Sequence, residues 1–168
     1  YQVATFRAEA DYTDGRRPGS VRFTDAREDA LRRDFTVNGL FFDPIAKELH
    51  DWVGGQADLE ASRIRTIGDP AERFGEDRLR MLRAVRFAAQ LGFEIEPATF
   101  AAVREHVPSI AEVSAERIRD ELLKIFRPSH AAAGLDLLRE SGLLGEVLPE
   151  LAATIGCEQP PEFHSEGD

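Results

Sequence analysis

The chain changes character at Gly68-Asp69-Pro70, and this change constrains its fold more than any other feature. Before it, short apolar stretches alternate with turn residues. Residues 1–7 alternate as a strand does, Asp14-Gly15 is a turn pair, and residues 20–24 read as a second short strand. Residues 25–34 are polar and helical in character. Residues 40–42 and 48–53 flank the Asp43-Pro44 breaker as the arms of a hairpin, and residues 63–67 read as a last strand. After Pro70, apolar residues recur at helical spacing over 76–91, 97–106, 114–126, 130–141 and 143–151. Gly92, Pro108, Pro128 and Gly142 separate these segments, and Glu96 before Pro97 makes a better helix start than Thr99. The expected class is α+β: a small mixed piece over 1–67, an all-helical piece over 70–151 and a polar linker over 152–168.

Charge narrows the partners. The 168 residues hold 21 basic and 31 acidic side chains, a net charge of −10, which argues against a broadly basic nucleic-acid sheath. Of the 21 basic residues only Lys47 and Lys124 are lysines. Biased codon usage accounts for that ratio, so position carries the information. Six arginines fall within 16–33 against Asp25, Glu28 and Asp29, and seven within 63–86 against Asp69, Glu72, Glu76 and Asp77. Two local positive patches in an acidic chain fit one specific anion. For any single arginine, a solvated ion pair with a carboxylate one turn away remains the simpler account.

Several classes are excluded. The lone Cys157 rules out a disulfide framework and an all-cysteine zinc site. No apolar run approaches the roughly 18 residues of a membrane helix, and no signal peptide is visible. A cytoplasmic protein is expected. Tyr1 is not preceded by Met, and both ends read as cut from something longer.

The second patch has a geometry. On one helix from residue 76, Glu76, Arg80, Arg83 and Phe87 share a narrow stripe flanked by Asp77, while Met81, Leu82, Val85, Ala88 and Ala89 supply the opposite, core-facing side. A carboxylate accepts from an exocyclic amine, and a guanidinium donates to a ring nitrogen or carbonyl. Cytosine and adenine each present an amine beside an acceptor nitrogen; uracil and guanine present a carbonyl beside an N–H. A pair such as Asp77 and Arg80 can therefore select C and A over U and G. In the first patch, Arg32-Arg33 can grip a triphosphate, Asp34 can accept from a ribose hydroxyl, and Asn38 can orient sugar or phosphate.

The heptapeptide 32–38 (RRDFTVN), followed about forty residues later by 76–87 (EDRLRMLRAVRF), resembles the class II tRNA nucleotidyltransferases, the CCA-adding enzymes, whose head the bacterial poly(A) polymerases share. VATFR at 3–7, DGRRP at 14–18, WVGGQADL at 52–59, the stretch 63–70 and SAERIRDELLKIF at 114–126 support it. The resemblance implies a partial nucleotidyltransferase palm followed by a helical neck and body. It implies that Arg33, Asp34 and Asn38 bind triphosphate and ribose, that Asp77 and Arg80 pair with CTP or ATP with Glu76 in support, and that Arg83 lies near the nucleotide. The segment 43–51 matches one that lets such a head switch from C to A.

The implied activity is transfer of AMP or CMP from ATP or CTP to a tRNA or other RNA 3′-OH, with release of pyrophosphate. CCA addition, A addition and poly(A) synthesis all fit. Such transfer uses Mg²⁺ held by an Asp-x-Asp pair, and this sequence contains no Asp-x-Asp. No catalytic or metal-binding residue is therefore expected within it. Those carboxylates are expected upstream of Tyr1, and the chain alone is expected to be inactive. The alternative is a degenerate module that holds RNA or nucleotide without chemistry. Glu94-Ile95-Glu96 reads as surface, His50-Asp51 as part of the hairpin, and residues 159–168 resemble the lead-in to an HD-type phosphohydrolase domain, while His106, His130 and His164 default to surface.

Overall fold

The computed structural model describes residues 5–12 and 18–157. The Asp14-Gly15 turn, Arg16, Arg17 and the tail with His164 lie outside the described residues. Strands β1 (Arg7–Tyr12) and β2 (Pro18–Phe23) pair antiparallel with Arg7 opposite Phe23. Of the strand expected over 1–7, residues 1–4 lie outside the described residues and Arg7 begins β1. Helix α1 (Ala26–Leu31) follows, capped by Asp25, whose carboxylate accepts from the Glu28 N–H at 2.8 Å. A 3-10 turn over Thr36–Asn38 leads into the hairpin of β3 (Phe41–Asp43) and β4 (Glu48–His50) expected around Asp43-Pro44.

Helix α2 (Gly55–Glu60) was not legible from periodicity. Asp51 makes it: its carboxylate accepts from the N–H groups of Val53, Gly54, Gly55 and Gln56 at 2.8–3.1 Å. Those are the orphan donors of a helix start. Burial pushes the Asp51 carboxyl upward, and the four N–H bonds outweigh it and leave the group below its ordinary range. The fully buried Ile64 lies in β5 (Arg63–Ile64), which ends the mixed segment.

The helical part opens with α3 (Pro70–Glu76), capped by Asp69 with Pro70 in its first turn. The single helix expected over 76–91 is two. At Asp77 the backbone turns extended (φ −150°, ψ 105°), and α4 starts anew at Leu79 and runs to Leu91. The cause is local: Asp77 Oδ1 accepts from the Leu79 N–H at 3.1 Å, a side-chain bond that competes with helical continuation. Gly92 closes α4 in the left-handed region at φ 66°. Strand β6 (Glu94–Ile95) then pairs parallel with β5, so the expected last strand joins across the compositional boundary to the segment after α4.

Helix α5 (Pro97–His106) starts at Glu96, whose carboxylate accepts from the Thr99 N–H at 2.7 Å as the sequence suggested. A 3-10 segment (Val107–Glu112), α6 (Ala115–Ile125) and α7 (Ala131–Ser141) follow. The helix expected over 143–151 divides into α8 (Leu143–Val147) and α9 (Pro149–Ala152) at Pro149, which favours a first helical position over an interior one. Among the described residues no helix is long and apolar enough to cross a membrane.

Helix α4 is the shared spine. Met81, Leu82 and Val85 are fully buried in the helical core with Phe74, Val103, Ile125 and Leu138. At about 1.5–3 kcal/mol for each large apolar side chain taken fully from water, this face anchors the helical part. Ala84 and Ala88 pack in a second cluster with Phe35 and Ile64, joining α4 to the mixed part. Small alanines leave room there for the Phe35 ring.

The segment preceding α4 in space is clamped from both sides. The Thr36 N–H donates to the Arg65 carbonyl at 3.0 Å and the Ile67 N–H to the Asp34 carbonyl at 3.1 Å. Buried Asp58 accepts from Thr36 Oγ1 and Arg65 Nε, both at 2.7 Å. Gly55 allows the closest approach: a Cβ there would stand 2.3 Å from the Thr36 carbonyl oxygen and 2.9 Å from Leu40 Cγ. Gly55→Ala is expected to destabilise the chain by about 1–3 kcal/mol through overpacking against backbone, read as a lower urea midpoint at unchanged slope.

Candidate functional site

The expected site residues converge. A cleft of about 480 Å³ is lined by Arg32, Arg33, Asp34, Asn38, Asp77, Arg80, Arg83 and Arg117, with Leu79 and Phe87 as its apolar patches. Five arginines face two carboxylates, so the mouth favours an anion although the whole chain is acidic. Arg32 and Arg33 from the first arginine-rich window and Arg80 and Arg83 from the second line one concavity. Glu76 does not line it and acts from behind.

Each arginine is aimed by partners. Buried Asp29 takes Arg32 on one carboxylate oxygen (Nε at 2.9 Å, Nη2 at 2.5 Å) and Arg33 on the other (Nε at 3.1 Å, Nη2 at 3.0 Å). Arg33 also donates from Nη1 to the Asn38 carbonyl at 3.0 Å and lies 4.6 Å from the centre of the Phe41 ring. On the opposite wall, Arg80 spends Nη1 on Glu76 Oε2 at 2.5 Å and the Arg73 carbonyl at 2.9 Å. Its Nε and Nη2 make no hydrogen bond among the described residues. Arg83 lies 5.4 Å from the centre of the Phe87 ring, and Arg86 covers the same ring at 4.0 Å.

The two cleft carboxylates differ in how full they are. An ionised carboxylate offers about four acceptor positions. Asp34 fills three: Oδ1 accepts from the Phe35 N–H and Asn38 Nδ2, each at 2.9 Å, and Oδ2 from Arg83 Nε at 2.7 Å, with Arg83 Nη2 in ion-pair contact at 2.5 Å. A ribose hydroxyl, the partner expected from the sequence, would share Oδ2 with Arg83. Among the described residues Asp77 accepts only the Leu79 N–H on Oδ1 and Arg117 Nη2, at 2.7 Å, on Oδ2. Each of its oxygens keeps room for another donor. In this structure Asp34 organises the cleft, and Asp77 can take a hydrogen bond from a ligand without losing one.

Sequence reasoning missed three residues of this arrangement. Asp29 stands three and four positions before Arg32 and Arg33, a helical spacing that pointed to it. Arg117 lay within the 114–126 segment without being singled out, and only the packing of α6 on α4 brings it to Asp77. Arg73 stands three positions before Glu76, but its bond to the distant Leu31 carbonyl carried no local signal. Among the described residues no three His, Cys, Asp or Glu side chains gather to hold a metal, and both cleft carboxylates are bonded to arginines. These residues do not suit Mg²⁺.

A family model described as the poly A polymerase head domain matches residues 1–65, and one described as a probable RNA and SrmB-binding site of polymerase A matches residues 92–155. The CCA-adding enzyme of Bacillus licheniformis is 45% identical over 148 residues, covering 88% of this chain. The chain belongs to the CCA-adding enzyme and poly(A) polymerase family. It spans 37% of the length of that Bacillus relative. The solved Bacillus stearothermophilus CCA-adding enzyme in complex with CTP superimposes with a TM-score of 0.72 at 41% identity, over 83% of this chain and 33% of that one. A tRNA nucleotidyltransferase complexed with a primer tRNA and an incoming ATP analog gives 0.70 at 30% identity, over 77% of this chain and 39% of that one. This family chain accordingly has the α+β class and helical body expected from its sequence.

Glu76 gives the site a pH signature. Burial pushes its carboxyl upward, and the hydrogen bond from Arg80 with the charges of Arg73 and Arg80 outweighs it, leaving the group below its usual value of 4.5. A carboxyl whose folded value is depressed contributes stability above its unfolded value, and that contribution is lost as pH falls through the folded one. The stability advantage of the parent over Glu76→Gln is therefore expected to be full above about pH 4.5 and to shrink below it. Urea denaturation of both chains along a pH series checks this; a constant difference through the acid range contradicts it.

Proposed function

We propose that the cleft is the nucleotide-selecting site of an RNA 3′-end nucleotidyltransferase, of the tRNA CCA-adding rather than the poly(A)-synthesising kind. The observation that carries it is the half-filled Asp77 beside Arg80, opposite a wall of arginines. Asp77 accepts from the exocyclic amine of cytosine or adenine, and Arg80 donates from Nε or Nη2 to the neighbouring acceptor. Uracil or guanine places a carbonyl against Asp77 and an N–H against Arg80, mispairing both.

The remaining roles follow from the walls. Arg32 and Arg33, aimed by Asp29, hold the triphosphate with Arg83 in reach of it. Asn38 faces the sugar, and Asp34 keeps Asn38 and Arg83 in position while its Oδ2 takes the ribose hydroxyl beside Arg83. Glu76 steadies Arg80 from behind. Support for tRNA as the acceptor comes from the relatives, which are named CCA-adding enzymes, and from the similar structure solved with a primer tRNA.

The complete gene product is expected to add C and A, and neither U nor G, to a tRNA ending before its CCA. Free addition of U or G contradicts the base-reading pair. Nucleotide binding without any incorporation identifies a binding module. Addition of long A tracts to any RNA end identifies a poly(A) polymerase. Asp77→Ala is expected to reduce the preference for CTP over UTP by about 10²-fold in kcat/KM, because the preference rests on polar groups left unpaired by the wrong base. Arg33→Ala is expected to weaken all four triphosphates alike, about tenfold, for the loss of one charge-assisted contact. Equal losses of preference in the two variants refute this division of labour.

A further inference from the structure

The base-facing and phosphate-facing walls of the cleft are joined by a residue that does not line the cleft and, on the reading above, does not touch the nucleotide. We infer that Arg73 is a positioning residue for base selection: its guanidinium fixes the base-reading wall at a set distance and angle from the phosphate wall. The inference rests on the proposed function of the cleft and adds a residue outside it.

Arg73 lies in α3, and its side chain is about one fifth exposed. Its three nitrogens serve three different pieces of chain. Nη2 donates to the Leu31 carbonyl at 2.7 Å, 42 positions away in sequence. Nε donates to the Ile67 carbonyl at 2.6 Å. Nη1 donates to both oxygens of Glu76, at 3.3 and 3.1 Å. The backbone takes part as well, since the Arg73 carbonyl accepts from Arg80 Nη1 at 2.9 Å.

These contacts have directions that matter. Leu31 ends α1, so its carbonyl is one of the orphan acceptors of that helix end, and the next two residues are Arg32 and Arg33. Glu76 and the Arg73 carbonyl are the two groups that orient Arg80. One planar fork therefore ties the root of the triphosphate-facing arginines to the support of the base-facing arginine. Arg73 is absent from the cleft lining, so it acts only through these neighbours. Lysine carries one nitrogen on a flexible stem and cannot span three acceptors in three directions.

Misplacement of a positioned group by about an ångström can cost on the order of 10²-fold in rate. Base pairing across two fixed groups is sensitive to such a shift, whereas a flexible polyanion on the arginine wall is not. The test compares Arg73→Lys and Arg73→Met with the parent in the complete gene product. The preference for CTP over UTP in kcat/KM is expected to fall about tenfold or more in both variants. The dissociation constant for inorganic tripolyphosphate, which probes the arginine wall alone, is expected to stay within about twofold.

An unchanged preference in both variants overturns the inference. So does a loss of tripolyphosphate affinity by the same factor as the preference, which assigns Arg73 to general structural support. If Arg73→Met does not fold, Arg73→Lys carries the comparison, and failure of both to fold also overturns the positioning role. A parent protein that does not prefer CTP over UTP refutes the base-reading function itself, before any question about Arg73 arises.

Discussion

The ion pair between Asp34 and Arg83 holds the cleft together. The two residues are 49 positions apart, one in the clamped segment before the 3-10 turn and one in the middle of α4. Asp34 is nearly buried and Arg83 about one third exposed, so the pair is shielded on one side and wet on the other. Burying a carboxylate is costly unless it is paired and hydrogen-bonded. Asp34 meets that condition with backbone, amide and guanidinium donors together. The same bonds fix the start of the 3-10 turn, the Asn38 amide and the position of α4, and the apolar joint of Phe35 with Ala84 and Ala88 lies directly behind.

Around that pair, occupancy separates the groups that build the site from those open to a ligand. Asp29 and Asp34 are committed to arginines and backbone, and Glu76 to Arg73 and Arg80. Asp77 and the outer nitrogens of Arg80 retain capacity. The difference arises from the backbone break at Asp77. A continuous helix there would leave no extended residue for the carboxylate to turn back on the Leu79 N–H, and its direction into the cleft would be lost. The interruption of α3 and α4 is thus part of the site.

Much of this was legible in the sequence. The helix start at Glu96, the stops at Gly92 and Gly142, and the core face of Met81, Leu82 and Val85 are local rules of hydrogen bonding and periodicity, and they hold in the structure. The break at Asp77 was not legible, because Phe74, Met81 and Val85 keep a nearly helical spacing across it and periodicity cannot see one extended residue. The parallel pairing of β5 with β6 was hidden for a different reason: two-residue strands carry too little pattern to name a partner thirty residues away. Arg73 and Arg117 were hidden because their partners are set by how α1, α3, α4 and α6 stack, which no local signal encodes.

The excess of arginine over lysine, trivial as composition, has consequences at this site. Arg33 binds Asp29 and the Asn38 carbonyl while resting on Phe41, and Arg83 holds Asp34 through two nitrogens while facing Phe87. Arg80 meets Glu76 and a carbonyl with one nitrogen, and its others make no hydrogen bond among the described residues. Each of these requires a flat, forked cation whose donors point in different directions, and the aromatic contacts require its weakly hydrated face. An ammonium would neutralise the same carboxylates and leave at least one partner of every arginine unserved. Codon bias can supply arginines anywhere on a surface; it does not account for a cleft in which Arg33, Arg80 and Arg83 each serve several partners in different directions.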